Sequence, residues 1–164
     1  GYDDVANGGA GMDVIIGDGG ADILNGGADG DRLYGGSGDD VLNGDAGADF
    51  LDGSGGAHTY DGGAGHDRLA SRLDGAQDTF NFEVGAGADR IYHYEEGVDR
   101  IGLSSDFGFS DGADAIANMT AAILYSGGHA VLNLNGTDVI QLMGFSTDNP
   151  GATIADLADD IYIF

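Results

Sequence analysis

Carboxylates recur along the first half of the chain at a fixed interval of nine residues. Aspartate stands at every ninth position from Asp13 to Asp49 and again at Asp67, while His58 takes the one position between them. Each lies in a nine-residue unit of the pattern G-G-x-G-x-D-x-U-x, where U is a large apolar residue, and seven such units fill residues 8–70. Carboxylates and the carbonyl oxygens of glycine-rich turns are the ligands that hard divalent cations prefer. The spacing therefore indicates metal binding.

The apolar eighth position predicts how the units are arranged. Side chains alternate between faces along a strand, so only U of a short x-U-x strand turns inward. A single unit cannot bury that residue, but stacked units can, and if each unit is half of a coil, residues 18 apart lie above one another. The predicted ladders are Ile15, Leu33, Leu51, Leu69 and Leu24, Leu42, Tyr60. This arrangement is an all-β fold, a parallel β-roll.

The same stacking places the aspartates in two columns. Parallel strands lie about 4.8 Å apart, so like charges would repel unless a cation sits between successive coils. Calcium fits because it takes six to eight oxygen ligands with flexible geometry, whereas magnesium demands a stricter one. The pairs that would share ions are Asp4/Asp22, Asp13/Asp31, Asp22/Asp40, Asp31/Asp49, Asp40/His58 and Asp49/Asp67. The candidate ligands, side chain or carbonyl, are Asp4, Gly8, Ala10, Gly11, Asp13, Gly17, Gly19, Gly20, Asp22, Gly26, Ala28, Asp29, Asp31, Gly35, Ser37, Gly38, Asp40, Gly44, Ala46, Gly47, Asp49, Gly62, Ala64, Gly65 and Asp67.

His58 departs from this pattern. Imidazole is a poor ligand for calcium. The substitution indicates either a softer metal or a pH-sensitive step at this unit, or a decayed repeat whose Asp40/His58 position is weak or empty.

The nonapeptides resemble the calcium-binding repeats of RTX proteins. Residues 78–82, D-T-F-N-F, and residues 89–104 resemble the segment that follows the repeats in RTX proteases and in the R modules of mannuronan epimerases, with Tyr94 where phenylalanine is usual. RTX lipases share this kind of C-terminal domain. The resemblance implies a right-handed roll and a secreted bacterial protein that leaves through type I secretion machinery and folds on meeting extracellular calcium. It also implies an upstream catalytic or adhesive domain in the same polypeptide. The acidic and then apolar end, residues 159–164, is similar to the terminus of type I substrates.

Composition excludes several partners. The net charge is −24, with five arginines and no lysine, so nucleic acid and anionic membranes are expected to be repelled. Cysteine is absent, so no disulfide stabilises the fold. Without cations the repeats are expected to stay unfolded because the charges repel one another.

Residues 71–164 have fewer glycines and are predicted to cap the roll of residues 1–70. The prediction places a short helix in residues 105–120, three strands in residues 121–143, a helical turn near Ile154 and a last strand at residues 161–164. No H-E-x-x-H, G-x-S-x-G or P-loop motif is present, so a non-catalytic domain is predicted. The alternative is a carbohydrate-binding or adhesive module, whose arginines would meet an anionic polysaccharide.

Overall fold

In the computed structural model, which describes residues 1–118, 121–125, 129–143 and 154–164, the chain alternates between two facing sheets. The first sheet contains, in spatial order, β1 (Val5–Ala10), β3 (Ile23–Ala28), β5 (Val41–Gly47), β7 (Thr59–Asp61), β10 (Thr79–Phe82), β12 (Arg100–Leu103) and β16 (Ile161–Ile163), while β8 (Ala64–Gly65) also pairs with β5. The second contains β2 (Val14–Ile16), β4 (Arg32–Ser37), β6 (Phe50–Gly55), β9 (Arg68–Ala70), β11 (Ala88–Tyr92), β15 (Val139–Met143), β14 (His129–Asn133) and β13 (Ala121–Tyr125). Strands β1 to β12 pair in parallel, which gives a β-solenoid of about six turns and confirms the predicted roll.

The register of the repeats is the predicted 18 residues. Leu24 pairs with Leu42 and Leu42 with Tyr60 in the first sheet. In the second sheet Leu33 pairs with Leu51, and Leu51 with Leu69. These side chains are fully buried between the sheets, so both apolar ladders are confirmed.

The coil lengthens after the repeats. Thr79 pairs with Thr59 and Arg90 with Arg68, which are offsets of 20 and 22 residues. The core becomes aromatic in the same region, where Tyr60 stacks on Phe80 with ring centroids 4.8 Å apart. In both sheets a strand from residues 1–70 pairs with a strand from residues 71–164, β7 with β10 and β9 with β11. The predicted division of the chain into two domains at residue 70 stays a prediction.

The described residues beyond 104 lie at one end of the roll, which we call the closed end, where β15 pairs with β11 and β16 with β12. Helix α1 (Gly112–Asn118) begins where the Asp111 carboxylate accepts a hydrogen bond from the Asp114 N–H at 2.8 Å, which confirms the predicted helix. One 3₁₀ turn (Ser105–Phe107) precedes it, and another (Ile154–Asp159) lies where a helical turn was predicted. The three predicted strands are β13, β14 and β15, and β13–β14 and β14–β15 are antiparallel pairs. The sequence also predicts a glycine hairpin turn at residues 126–129 and a loop at residues 149–151. Residues 126–128 and 149–151 lie outside the described part of the chain.

A bilayer-spanning helix is not found in the described part of the chain.

Candidate metal sites

Seven loops join the strands of the repeats, and they stack along two edges of the roll. The first edge contains the loops of residues 8–13, 26–31, 44–49 and 62–67. The second edge contains the loops of residues 17–22, 35–40 and 53–58. Each loop begins with the glycine of position one and ends with the residue of position six.

The position-six aspartates form two hydrogen-bonded columns. One carboxylate oxygen, Oδ1, accepts a hydrogen bond from the backbone N–H of the aspartate one coil earlier. The N–H···Oδ1 pairs are Asp4 to Asp22 at 2.8 Å, Asp13 to Asp31 at 2.7 Å, Asp22 to Asp40 at 2.9 Å, Asp31 to Asp49 at 2.7 Å and Asp49 to Asp67 at 2.9 Å. The structure therefore brings together the aspartate pairs that the 18-residue spacing predicts.

The second carboxylate oxygen of these residues has no donor. Oδ2 is buried and without a hydrogen-bond partner in Asp13, Asp22, Asp31, Asp40, Asp49 and Asp67. Leaving a buried polar atom unpaired costs about 1–3 kcal/mol, and more for a charged one. The same orphaned atom in six loops indicates a shared ligand that the protein itself does not supply.

Glycine at position one opens a space beside each orphaned oxygen. A methyl group on Gly44 would lie 2.6 Å from Asp49 Oδ2 and 2.5 Å from the Gly62 carbonyl oxygen. At Gly8 the distances would be 2.7 Å to Asp13 Oδ2 and 2.6 Å to the carbonyl oxygen one coil later. A carboxylate oxygen and a carbonyl oxygen thus lie against the same glycine, with no side chain between them, and both are oxygen ligands of the kind that calcium takes. We call this space the cradle of the loop, and its donor set fits a hard cation.

The other ligands of such a cation must come from the backbone. No group of three or more acidic or histidine side chains able to hold a metal comes together within the described residues. Three predicted carbonyl ligands already accept a hydrogen bond each, Gly17 from the Gly19 N–H, Ala28 from the Gly11 N–H and Ser37 from the Gly20 N–H. A carbonyl oxygen has a second lone pair, so all three remain candidates. The remaining predicted glycine and alanine positions lie in the same loops, and their role as ligands stays a prediction.

The columns run further than the predicted ligand set. Asp78, Asp89 and Asp99 accept hydrogen bonds from the N–H groups of His58, Asp67 and Asp78 at 2.8 Å, 2.8 Å and 2.9 Å. The signal in the sequence is the D-x-U triplet that survives at each of these aspartates after the glycines have been lost.

Carboxylates near the closed end have donors from the protein. Asp138 accepts hydrogen bonds from the N–H groups of Gly85 and Gly87, both at 3.0 Å. Asp160 Oδ2 accepts hydrogen bonds from the Tyr94 hydroxyl and from a backbone N–H, both at 3.1 Å. These carboxylates are stabilised without a metal.

Burial raises the pKa of several carboxyl groups in the columns. It raises the pKa of Asp67 to about 8 and those of Asp78 and Asp89 to about 7, and neighbouring carboxylates act in the same direction. The pKa of Asp49 is also raised, first by burial. Without a cation the folded state therefore retains protons that an unfolded chain would release near pH 4.

His58 occupies its predicted place in the second-edge column. Its Nδ1 accepts a hydrogen bond from the Asp40 N–H at 3.2 Å, while Nε2 is buried and has no partner. Burial lowers the pKa of His58, which favours the neutral ring.

Comparison with known proteins agrees with this geometry. Residues 1–33 and 34–69 match the family described as the RTX calcium-binding nonapeptide repeat, in four copies. The array is an RTX β-roll. The chain is also similar to the solution structure of the AlgE6R3 subunit of the mannuronan C5-epimerase from Azotobacter vinelandii, with 25% identity over 93% of this chain and 79% of that one and a TM-score of 0.33. No curated protein matches the chain.

Replacing a column carboxylate should weaken calcium binding. Asp49→Asn keeps an oxygen for the Asp31 N–H but removes the charged oxygen of the cradle. We expect calcium affinity to fall at least about tenfold, equivalent to about 1.4 kcal/mol, in a calorimetric titration. Asp45→Asn is the matched control because Asp45 is exposed at position two of the same loop. Equal affinities of the two variants would contradict the assignment.

Acid should stabilise the calcium-free fold. Asp49, Asp67, Asp78 and Asp89 have raised pKa values in the fold, so the folded state binds more protons than the unfolded chain, and the free energy of unfolding falls as the pH rises from about 4 to about 8. Far-ultraviolet circular dichroism of calcium-free protein should therefore show more β structure at pH 5 than at pH 8. With saturating calcium the order should reverse, because the metal requires deprotonated ligands. More β structure at pH 8 than at pH 5 without calcium would contradict the role given to burial.

Proposed function

We propose that this chain is a non-catalytic RTX domain that folds when it meets extracellular calcium. The observation that carries the proposal is the set of six buried carboxylate oxygens without a donor, each beside a position-one glycine and five of them with a carbonyl oxygen at the same glycine. Calcium supplies at these positions a positive charge and a strong preference for oxygen ligands. Because an unfolded chain holds no preformed cradle, the free energy of binding becomes free energy of folding.

The negative charge of the chain favours the unfolded state when calcium is scarce and the folded state when calcium is bound. At a net charge of −24 and with stacked carboxylates, the roll is destabilised when calcium is scarce. Calcium at the millimolar level suits extracellular modules, whose dissociation constants lie at about 10⁻⁴–10⁻³ M. The chain would therefore remain extended inside a bacterial cell and fold outside it.

Several consequences belong to this proposal. An extended chain suits passage through type I secretion machinery, which is typical of the RTX class. Folding after export would hinder return through the channel and would stabilise an attached upstream domain, catalytic or adhesive, of the same secreted polypeptide.

A second candidate function, binding of an anionic saccharide, is favoured by the outer face of the second sheet. Arg32, Phe50, Arg68 and Arg90 occupy one row across four neighbouring strands. The Arg68 guanidinium lies 5.8 Å from the Phe50 ring centroid and 5.3 Å from that of Tyr92. Arg68 and Arg90 are adjacent like charges, a destabilising pair that an anion would relieve. Exposed guanidinium groups beside aromatic rings suit a carboxylated sugar polymer.

Far-ultraviolet circular dichroism during a calcium titration tests the first candidate. Chelator-treated protein should show a disordered spectrum and gain β signal cooperatively with calcium, while magnesium at the same concentrations should have little effect. A chain that is already fully folded in chelator would contradict the proposal that calcium drives its folding.

A saccharide titration tests the second candidate. In calcium, a uronate oligosaccharide should bind the native chain, and Arg68→Gln/Arg90→Gln should lose most of that affinity. Arg100→Gln is the control because Arg100 lies on the first sheet. Equal binding of a neutral oligosaccharide, or no effect of the double substitution, would reject this candidate.

A further inference from the structure

The loop of residues 53–58 differs from the other loops of the repeats in what surrounds its first glycine. A methyl group on Gly44 would meet a carbonyl and a carboxylate oxygen, the two donors of its cradle. At Gly53 the nearest atoms are the Tyr60 hydroxyl oxygen and the ring carbons Cδ2 and Cγ of His58. The space that elsewhere receives two metal-binding oxygens is occupied here by an imidazole ring and a phenol.

The His58 imidazole keeps the hydrogen bond between coils that the column aspartates make, but it does not supply their negative charge. In the other loops Oδ1 accepts the N–H of the preceding coil, and His58 Nδ1 accepts the Asp40 N–H in the same way. A backbone N–H is always a donor, so Nδ1 must carry the lone pair, and the proton of the neutral ring is on Nε2. His58 therefore presents ring carbons to Gly53, where the other loops offer a carboxylate oxygen.

Tyr60 completes the change in the same nonapeptide. Its hydroxyl accepts a hydrogen bond from the Gly53 N–H at 3.2 Å and donates one to the Ala70 carbonyl oxygen at 3.0 Å. The other repeats have an aliphatic residue at this position, which cannot reach the edge of the roll with a polar atom. The two departures from the repeat pattern thus meet at one glycine.

We infer that His58 and Tyr60 close the cradle of the 53–58 loop to calcium and replace the ion by hydrogen bonds within the protein. The inference rests on the proposed function. An orphaned carboxylate oxygen is present in all four loops of the first edge but only in the loops 17–22 and 35–40 of the second edge, and we expect calcium at those six loops and not at 53–58. The metal-free loop lies beside Tyr60 and Phe80, where the core becomes aromatic.

Counting bound calcium tests the inference. Native mass spectrometry at saturating calcium should show one more ion on His58→Asp/Tyr60→Leu, which restores the repeat pattern, than on the native chain. His93→Asp is the control for added charge, because His93 is exposed and its φ of 64° suits aspartate, and its count should not change. An unchanged count in the restored variant would overturn the inference.

The reverse substitution tests the same inference even if the His58→Asp/Tyr60→Leu variant does not fold. Asp49→His/Leu51→Tyr introduces the same pair into a first-edge loop and should remove one ion, while an unchanged count would again overturn the inference. Zinc offers an independent check, because retention of one zinc ion by the native chain but not by His58→Ala would show His58 to be a ligand and would also overturn it. A native chain that binds no calcium would instead refute the proposed function.

Discussion

The structure depends on a carboxylate that is held between coils by one oxygen and left without a donor at the other. The hydrogen bond from the preceding N–H fixes the side chain of each position-six aspartate in the column. That same geometry turns the second oxygen inward, against a glycine that has no side chain to meet it. The stacking that buries the leucine ladders therefore also buries negative charge, and the two cannot be separated.

The buried carboxylates have two kinds of surroundings along the roll. In the repeats, five of the six orphaned oxygens lie with a carbonyl oxygen against the same glycine, an arrangement that suits a cation. Near the closed end, carboxylates such as Asp138 and Asp160 accept hydrogen bonds from backbone N–H groups and from a tyrosine hydroxyl. The core changes in parallel, from stacked leucines to the aromatic contact of Tyr60 with Phe80. Larger buried rings add apolar area, which stabilises these coils where the metal-binding pattern has been lost.

Both glycine and aspartate occupy the loop positions that need a left-handed backbone conformation. Asp29 stands at a position that is glycine in the other six repeats, and its φ of 78° lies in the left-handed region. Asp18 and Asp45 adopt similar values at position two. Aspartate tolerates this region better than most residues, so the chain could replace glycines there and gain acidity without losing the turn. Glycine is retained at position one, where a methyl group would overlap the oxygens of the cradle.

The sequence by itself determined the regular part of the molecule. Once each nine-residue unit is taken as half of a coil, the 18-residue register, both apolar ladders and the aspartate pairs follow from counting along residues 8–70. The helix at residues 112–118 and the strands near it were also predictable, because capping and turn signals are local. Only the tertiary structure decided the rest. Beyond residue 70 the coils gain insertions of different length, and no local signal predicts that Asp138 reaches Gly85 or that Asp160 reaches Tyr94. The closed cradle at Gly53 is likewise invisible in the sequence, because it depends on where the Tyr60 hydroxyl and the His58 ring lie once the coils are stacked.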